Sequence, residues 1–172
     1  VTLQYSITDT KWIVIAQQGT QPVVSSPLNQ NAVSVFGTAG LSVTPSTPTT
    51  VVPGLTNTIT VPAGSVVYIS SSGGVQTTAL TATGFSVCDI YILIDGALPA
   101  VGGYQRIYAA NTGGVTTGII TNWNVGFAQT LSPGSHTIAI GVNGAASGSN
   151  ATVSGNSSSV LQGHLTILTM KL

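Results

Sequence analysis

No segment of this chain shows the 3.6-residue apolar period of an amphipathic helix. Short runs rich in Val, Ile, Thr and Tyr instead alternate with clusters of Gly, Pro, Ser and Asn, which is typical of β-sandwiches and β-barrels. These runs predict about ten strands in one all-β domain. The predicted strands lie at 11–17, 32–36, 42–44, 56–61, 65–70, 85–94, 104–110, 118–125, 136–142, 151–153 and 164–171.

The strands predicted at 85–94 and 164–171 are apolar on both faces. In a sandwich only one face of a strand packs against the opposite sheet. The second face needs a loop, the N-terminal segment or another subunit to cover it, and we expect another copy of the chain. The residues expected at this subunit interface are Trp12, Val14, Phe85, Val87, Tyr91, Leu93, Leu168, Met170 and Leu172.

A Pro/Thr-rich stretch, TPSTPTTVVPG at 44–54, predicts an exposed extended connection, because proline cannot donate a hydrogen bond within a sheet. It divides the chain into an N-terminal arm at 1–43 and a sandwich body at 55–172. The arm contains KWIVIAQQG, which is too apolar to stay in water. We expect the arm to pack on its own body or on a neighbouring subunit.

Formal charge is nearly absent, at 3% of residues against about 25% in ordinary soluble domains. The apolar runs are strand-sized and fall far short of the ~20 residues of a membrane-spanning helix, so no transmembrane segment is expected. Three scattered cations cannot bind a phosphate backbone, which argues against nucleic acid as a partner and against a genome-packaging coat with a basic arm. Such a surface suits a protein that assembles, or that works outside the cell or on its surface.

Catalysis and metal binding need ionisable groups, and few are available. Asp89 and Asp95 lie ~20 Å apart if both are on one extended segment, too far for the carboxylate pair of a glycosidase. His136 and His164 each open a predicted strand, without the Cys/His cluster of a zinc site. We therefore predict a protein that is not an enzyme and has no cofactor and no metal.

Two structural roles are expected for other reactive groups. Asp89 on a mostly apolar face predicts an ion pair with Arg106 on the following strand, with a contact to another subunit or to a ligand as the alternatives. Cys88 is the one cysteine, and its apolar surroundings predict a buried, unreactive thiol. The sequons at Asn150 and Asn156 permit glycosylation in a suitable host, although chance matches are common in a chain rich in Ser and Thr.

Aromatic residues beside Asn and Arg are typical of sites for neutral sugars, because a sugar ring stacks its C–H face on an aromatic ring and forms hydrogen bonds at its edge. The segments GGYQRIYAANTGG (102–114) and TNWNVG (121–126) have this composition. The predicted sugar-binding residues are Tyr104, Arg106, Asn111 and Trp123. The alternative is that these aromatic side chains fill the core of the sandwich.

Three phrases, TGFSVCDIYILIDGALPAVGGYQRIYAANTGG, LSPGSHTIAIGV and ATVSGNSSSVLQGHLTIL, together resemble secreted bacterial domains with a C1q/TNF-like jelly-roll pattern, found on surface and appendage proteins. The resemblance covers roughly residues 51–172. It implies a ten-stranded jelly roll, with three copies around a threefold axis and the last strand near that axis. The low charge departs from eukaryotic members, so receptor signalling is not implied, and the N-terminal arm has no clear counterpart.

These observations predict a non-catalytic extracellular structural protein that assembles with itself into a trimer, a fibre or a surface appendage. The alternative is a carbohydrate-binding or adhesive module that recognises cell-surface glycans.

Overall fold

The computed structural model is an all-β jelly-roll sandwich, which confirms the predicted fold class. It describes residues 2–6, 11–16, 30–114, 116, 118–145 and 147–171, with side chains from residue 30 onward. Within these ranges the strands are β1 (Thr2–Ser6), β2 (Lys11–Ala16), β3 (Gln30–Phe36), β4 (Leu41–Val43), β5 (Thr50–Val61), β6 (Ser65–Thr77), β7 (Gly84–Ile94), β8 (Tyr104–Asn111), β9 (Ile120–Thr130), β10 (Gly134–Gly144), β11 (Ala151–Val153) and β12 (His164–Lys171).

Eight of these strands build the two antiparallel sheets of the sandwich. Sheet I has the order β5-β10-β7-β8, and sheet II has the order β3-β12-β6-β9. Counted among the eight strands in chain order, these are 2-7-4-5 and 1-8-3-6, the arrangement of a jelly roll. The short strands β11 and β4 extend sheet II, because β11 pairs with β6 at Val75–Thr77, beyond the stretch that pairs with β12.

The hydrophobic core lies between the sheets and is built from the alternate, inward-facing residues of each strand. Its largest fully buried side chains include Trp123, Leu55, Ile90, Ile140 and Leu165. Close packing extends to the backbone of β6. A Cβ atom placed on Gly73 would lie 2.2 Å from the Trp123 ring, so only glycine fits opposite this indole.

The predicted connection at 44–54 differs from the structure, because β5 already begins at Thr50. Its hydrogen-bonding register with β10 shifts between Ala139 and Gly141, which face Thr56 and Val51 respectively. Pro53 falls within this bulge, where a missing N–H donor is tolerated. Val52 next to it is fully buried, so this part of the Pro/Thr-rich stretch belongs to a core strand.

The N-terminal arm predicted at 1–43 is divided between two sheets. Its β3 pairs with β12 and so belongs to sheet II of the same chain, and β4 joins β11. The strands β1 and β2 pair with each other as a separate two-stranded sheet, and β1 was not among the predicted strands. The side chains of Trp12 and Val14 lie outside the described residues.

Candidate functional site

The outward side of sheet II is an almost featureless surface without formal charge, here called the uncharged face. The face consists of four rows, and each row has one residue from β3, β12, β6 and β9 in that order. The rows are Gln30–Met170–Val66–Thr130, Ala32–Leu168–Tyr68–Ala128, Ser34–Thr166–Ser70–Gly126 and Phe36–His164–Ser72–Asn124. None of these sixteen residues is Asp, Glu, Lys or Arg. The patch measures roughly 19 Å across the strands and 24 Å along them.

The apolar residues of the uncharged face are only partly covered by their own chain. Tyr68 and Met170 expose 38% and 37% of their surface and Phe36 exposes 56%, while Leu168 is half-buried. Hydroxyls lie between them, and Ser34 and Thr166 share a hydrogen bond of 2.9 Å across the two strands. Two residues of the predicted interface, Leu168 and Met170, therefore lie on an open surface, while Leu172 is outside the described residues.

The second face of β7 has a different environment from the one expected. Tyr91 and Leu93 retain 9% and 6% of their exposure and pack with Ala139 of β10 in a small second cluster. Phe85 and Val87 are half-buried. The same chain supplies this cover, so Tyr91 and Leu93 have almost no surface left for a neighbouring subunit.

Over Phe85, Asp89 and Tyr91 the cover comes from three long side chains that alternate along the outer side of β8. These residues, Tyr104, Arg106 and Tyr108, are called the tyrosine–arginine stripe. Tyr104 stacks on Tyr91 with the ring centroids 5.2 Å apart, and Tyr108 stacks on Phe85 at 5.1 Å. Each tyrosine still exposes just over half of its surface, because only one side of the ring is covered.

Arg106 stands between the two tyrosines and is fixed by Asp89, its direct partner on β7. Its Nε and Nη2 donate to the two carboxylate oxygens at 2.6 and 2.8 Å. The Asp89 side chain is 7% exposed and the Arg106 side chain 59% exposed. The hydrogen bonding to Asp89 and, as a smaller cause, the negative charge of Asp89 raise the pKa of the Arg106 guanidinium above its ordinary range. The guanidinium is thus permanently charged, locally neutralised and held in one orientation.

Two of the predicted sugar-binding residues do not reach the surface. Trp123 is fully buried and donates its indole N–H to Ser71 Oγ at 3.0 Å. Asn111 is also fully buried and donates to the Ala79 carbonyl. For Trp123 the core alternative was therefore the right one, because the alternation of β9 points it inward. Of the predicted set, the structure brings Tyr104 and Arg106 together on one surface.

A histidine–carboxylate pair at one end of sheet I was not predicted. His136 Nδ1 lies 2.7 Å from Asp95 Oδ2, and Nε2 lies 2.9 Å from the Ser132 carbonyl oxygen. Both oxygens can only accept, so the ring donates both hydrogen bonds when it is protonated. The hydrogen bond to Asp95 is the main cause that raises the pKa of the His136 imidazole. The Thr137 backbone N–H and then His136 lower the pKa of the Asp95 carboxyl.

The sequence signal for this pair is the Asp-Gly turn itself. Asp95 and Gly96 both have positive φ and close a tight turn after β7, as Asp-Gly after a strand predicts. Ile94 pairs with Ile138 across the sheet, so Asp95, the next residue, lies beside the first residues of β10, which include His136. Finding the pair required the β7–β10 pairing, which no local pattern indicates.

The described carboxylates and the Cys88 thiol are engaged in structure or buried. Asp89 is paired with Arg106, and Asp95 is paired with His136. Burial, and as a smaller cause the nearby charge of Asp89, raises the pKa of Cys88 to about 11. Among these residues no group of three or more His, Cys, Asp or Glu could hold a metal ion. No helix in the described ranges is long and apolar enough to cross a membrane.

Two surface clefts of about 350 and 370 Å³ lack acids, bases and thiols in their walls. The first lies beside the Asn124 end of the uncharged face and includes Asn122 and Gln162. Both sequon asparagines are exposed: Asn150 precedes β11, and the Asn156 side chain accepts hydrogen bonds from Ser158 of its own sequon.

No protein-family model matches this sequence, and no curated protein matches it. Several solved structures are weakly similar to this chain. The infectious bursal disease virus VP2 subviral particle aligns over 83% of this chain and 33% of its own, with 12% identity and a TM-score of 0.44. The cyanophage Pam1 capsid asymmetric unit aligns over 92% and 94%, with 15% identity and a TM-score of 0.40. The infectious bursal disease virus Gt strain aligns over 99% and 42%, with 13% identity and a TM-score of 0.42.

This chain thus spans about a third of the VP2 chain that it matches. Similarities this weak assign neither a family nor an activity to it, and the C1q/TNF-like resemblance stays a prediction beyond the jelly-roll fold.

Proposed function

We propose that this chain is a non-catalytic structural protein that assembles with copies of itself through the uncharged face. The observation that carries the proposal is the composition of that face: partly exposed Leu168, Met170 and Tyr68, set among Ser, Thr, Ala and Gly, without a formal charge in any row. We further propose that the assembly is extracellular or on a cell surface, in keeping with the low charge and the two exposed sequons.

A second copy is the partner that fits this surface best. A partner with a charged interface would find no counter-charge and would lose hydration of its own charges. Two uncharged faces meet without like-charge repulsion, and their hydroxyls can exchange hydrogen bonds. Small residues such as Ala32, Gly126 and Ala128 leave the face flat enough for close approach.

The size of the face sets what it can do. Its projected area is roughly 450 Å², about half of the ~800 Å² that each partner buries in a standard stable interface. The face therefore suits one contact in an assembly with several contacts. We propose the N-terminal arm as the second contact, packing as a clasp or an added strand on the neighbouring subunit.

The non-catalytic part of the proposal rests on the engagement of the described acids and the burial of the thiol. The described acids, Asp89 and Asp95, both hold structural partners, and the Cys88 thiol is buried with a pKa of about 11. General acid–base or nucleophilic catalysis needs such groups to be free to reach a substrate.

A matched pair of substitutions tests the assembly. Thr166→Asp places a carboxylate in the uncharged face, and Thr60→Asp places the same group on the exposed side of β5 in sheet I. In light scattering over a range of concentrations, the native chain and Thr60→Asp should form the same oligomer, and Thr166→Asp should dissociate. A native chain that stays monomeric at micromolar concentration and above, or two variants that behave alike, would contradict the proposal.

A further inference from the structure

We infer that the tyrosine–arginine stripe on β8 is a binding site for a neutral oligosaccharide. It lies on the outer side of sheet I, away from the uncharged face of sheet II, and it does not depend on self-assembly.

The first reason is that the stripe is rigid although it is exposed. An exposed arginine ordinarily samples many rotamers, but Arg106 is fixed by two short hydrogen bonds to a nearly buried carboxylate. Tyr104 and Tyr108 each stack against a neighbouring aromatic ring of β7. The Tyr91 ring is itself held by a hydrogen bond from its hydroxyl to Asn143 at 2.8 Å. Side chains held this way lose little conformational entropy when a ligand binds.

The second reason is the chemistry that the stripe presents. Each tyrosine has one ring face covered and the opposite side open, which is the surface on which the C–H face of a sugar ring stacks. Arg106 uses two of its five N–H donors for Asp89, which leaves three for hydroxyl oxygens. Because Asp89 balances the guanidinium charge, a neutral ligand is favoured over an anionic one.

The third reason is shape. Alternate residues on a strand are ~6.8 Å apart, so the two tyrosines lie ~14 Å apart with the arginine midway. The site is thus long and only one strand wide, much smaller than the ~800 Å² that a protein partner covers. A linear ligand lying along β8 fits it. A nucleic acid would need clustered cations, and the stripe offers one that is already paired.

The test starts with the native chain on an array of neutral, sialylated and sulfated oligosaccharides, with a single-stranded oligonucleotide and an extended peptide library as further probes. Binding of one or more neutral oligosaccharides is expected. The Kd of the strongest neutral glycan is then measured by titration calorimetry for Tyr104→Ala, Tyr108→Ala and Tyr68→Ala, each checked for folding by thermal melting. Binding should weaken at least ~10-fold in the first two variants, as for truncation of a central contact residue.

Tyr68→Ala is the matched control, since Tyr68 is a partly exposed tyrosine on the opposite sheet and its loss should leave the Kd unchanged. Tyr104→Phe keeps the aromatic ring and should retain most of the binding. This variant still tests the site if Tyr104→Ala does not fold. The inference is overturned if the native chain binds no neutral glycan, if the oligonucleotide, the peptides or only anionic glycans bind, or if the Kd is equal in all variants. Light scattering on Tyr104→Ala reports assembly separately, so either proposal can fail alone.

Discussion

The strands β7 and β12 look alike in sequence and are covered in different ways. Both strands carry apolar residues on both of their faces, and the inward face of each lies in the core. The second face of β7 is closed by its own chain, through Tyr104, Arg106 and Ala139. The second face of β12 stays partly open, with Met170 37% exposed. A strand with two apolar faces therefore indicates that a cover exists, but it does not say which chain provides it.

The comparison is tested most strongly by one substitution made on both strands. Leu93→Ala removes a side chain that is 6% exposed and should lower the free energy of unfolding by about 2–5 kcal/mol. Leu168→Ala removes a half-buried leucine and should cost about 1 kcal/mol or less in the dilute chain. Urea denaturation measures both. Equal losses would show that the two faces are covered to the same degree.

Thiol labelling separates the inner face of β7 from the outer face of β12. Cys88 is 1% exposed and burial raises its pKa to about 11, so the reactive thiolate is scarce at pH 8. A disulfide reagent should leave the native thiol unmodified until urea unfolds the chain. Met170→Cys in a Cys88→Ser background should react at once when dilute and become protected in the assembly. Rapid labelling of native Cys88 would mean that the core beside β7 is open.

The smallest expected effect is the pH dependence at the end of β7. Because the pKa of His136 is raised from 6.5, its contribution to stability is fully present below pH 6.5 and is lost as the pH rises through the raised value. The lowered pKa of Asp95 acts oppositely, with a contribution that is present above pH 3.8 and lost on acidification. Denaturation midpoints from about pH 5 to about pH 9 should fall at the alkaline end.

In His136→Gln this alkaline fall should be absent, and it should be reduced in Asp95→Asn, since asparagine tolerates the positive φ of the turn. A fall of equal size in the native chain and in His136→Gln would assign it to another group.

Most of the fold follows from local patterns. The strand predicted at 164–171 and the one at 151–153 have the observed bounds, and the strand at 85–94 begins one residue earlier in the structure. These segments combine β-branched residues with flanking turn residues, so neighbours along the chain are enough to define them. The start of β5 was not predicted, because Pro53 is disfavoured in a regular strand and is accommodated here by a bulge that only the pairing with β10 creates.

The candidate sites are less predictable, because they depend on which face of a strand points outward. Tyr104 and Trp123 have similar local contexts, with small and polar neighbours, yet one is half-exposed and the other fully buried. The difference comes from the register of β9 against β6, which points Trp123 into the core against Gly73. A register of this kind is set by the whole sheet and is not encoded within a window of ten residues.

The pairing of β3 with β12 has a consequence for the order of events during synthesis. Phe36 faces His164, which lies 128 positions later in the chain. Among the strands that the structure describes, β12 is the one that β3 pairs with. A growing chain therefore synthesises all the strands from β4 to β11 while the backbone of β3 still lacks its partner, and closing so long a loop is slow. Ribosome-bound chains that end before residue 164 should present β3 to proteases and chaperones, and release should bury it.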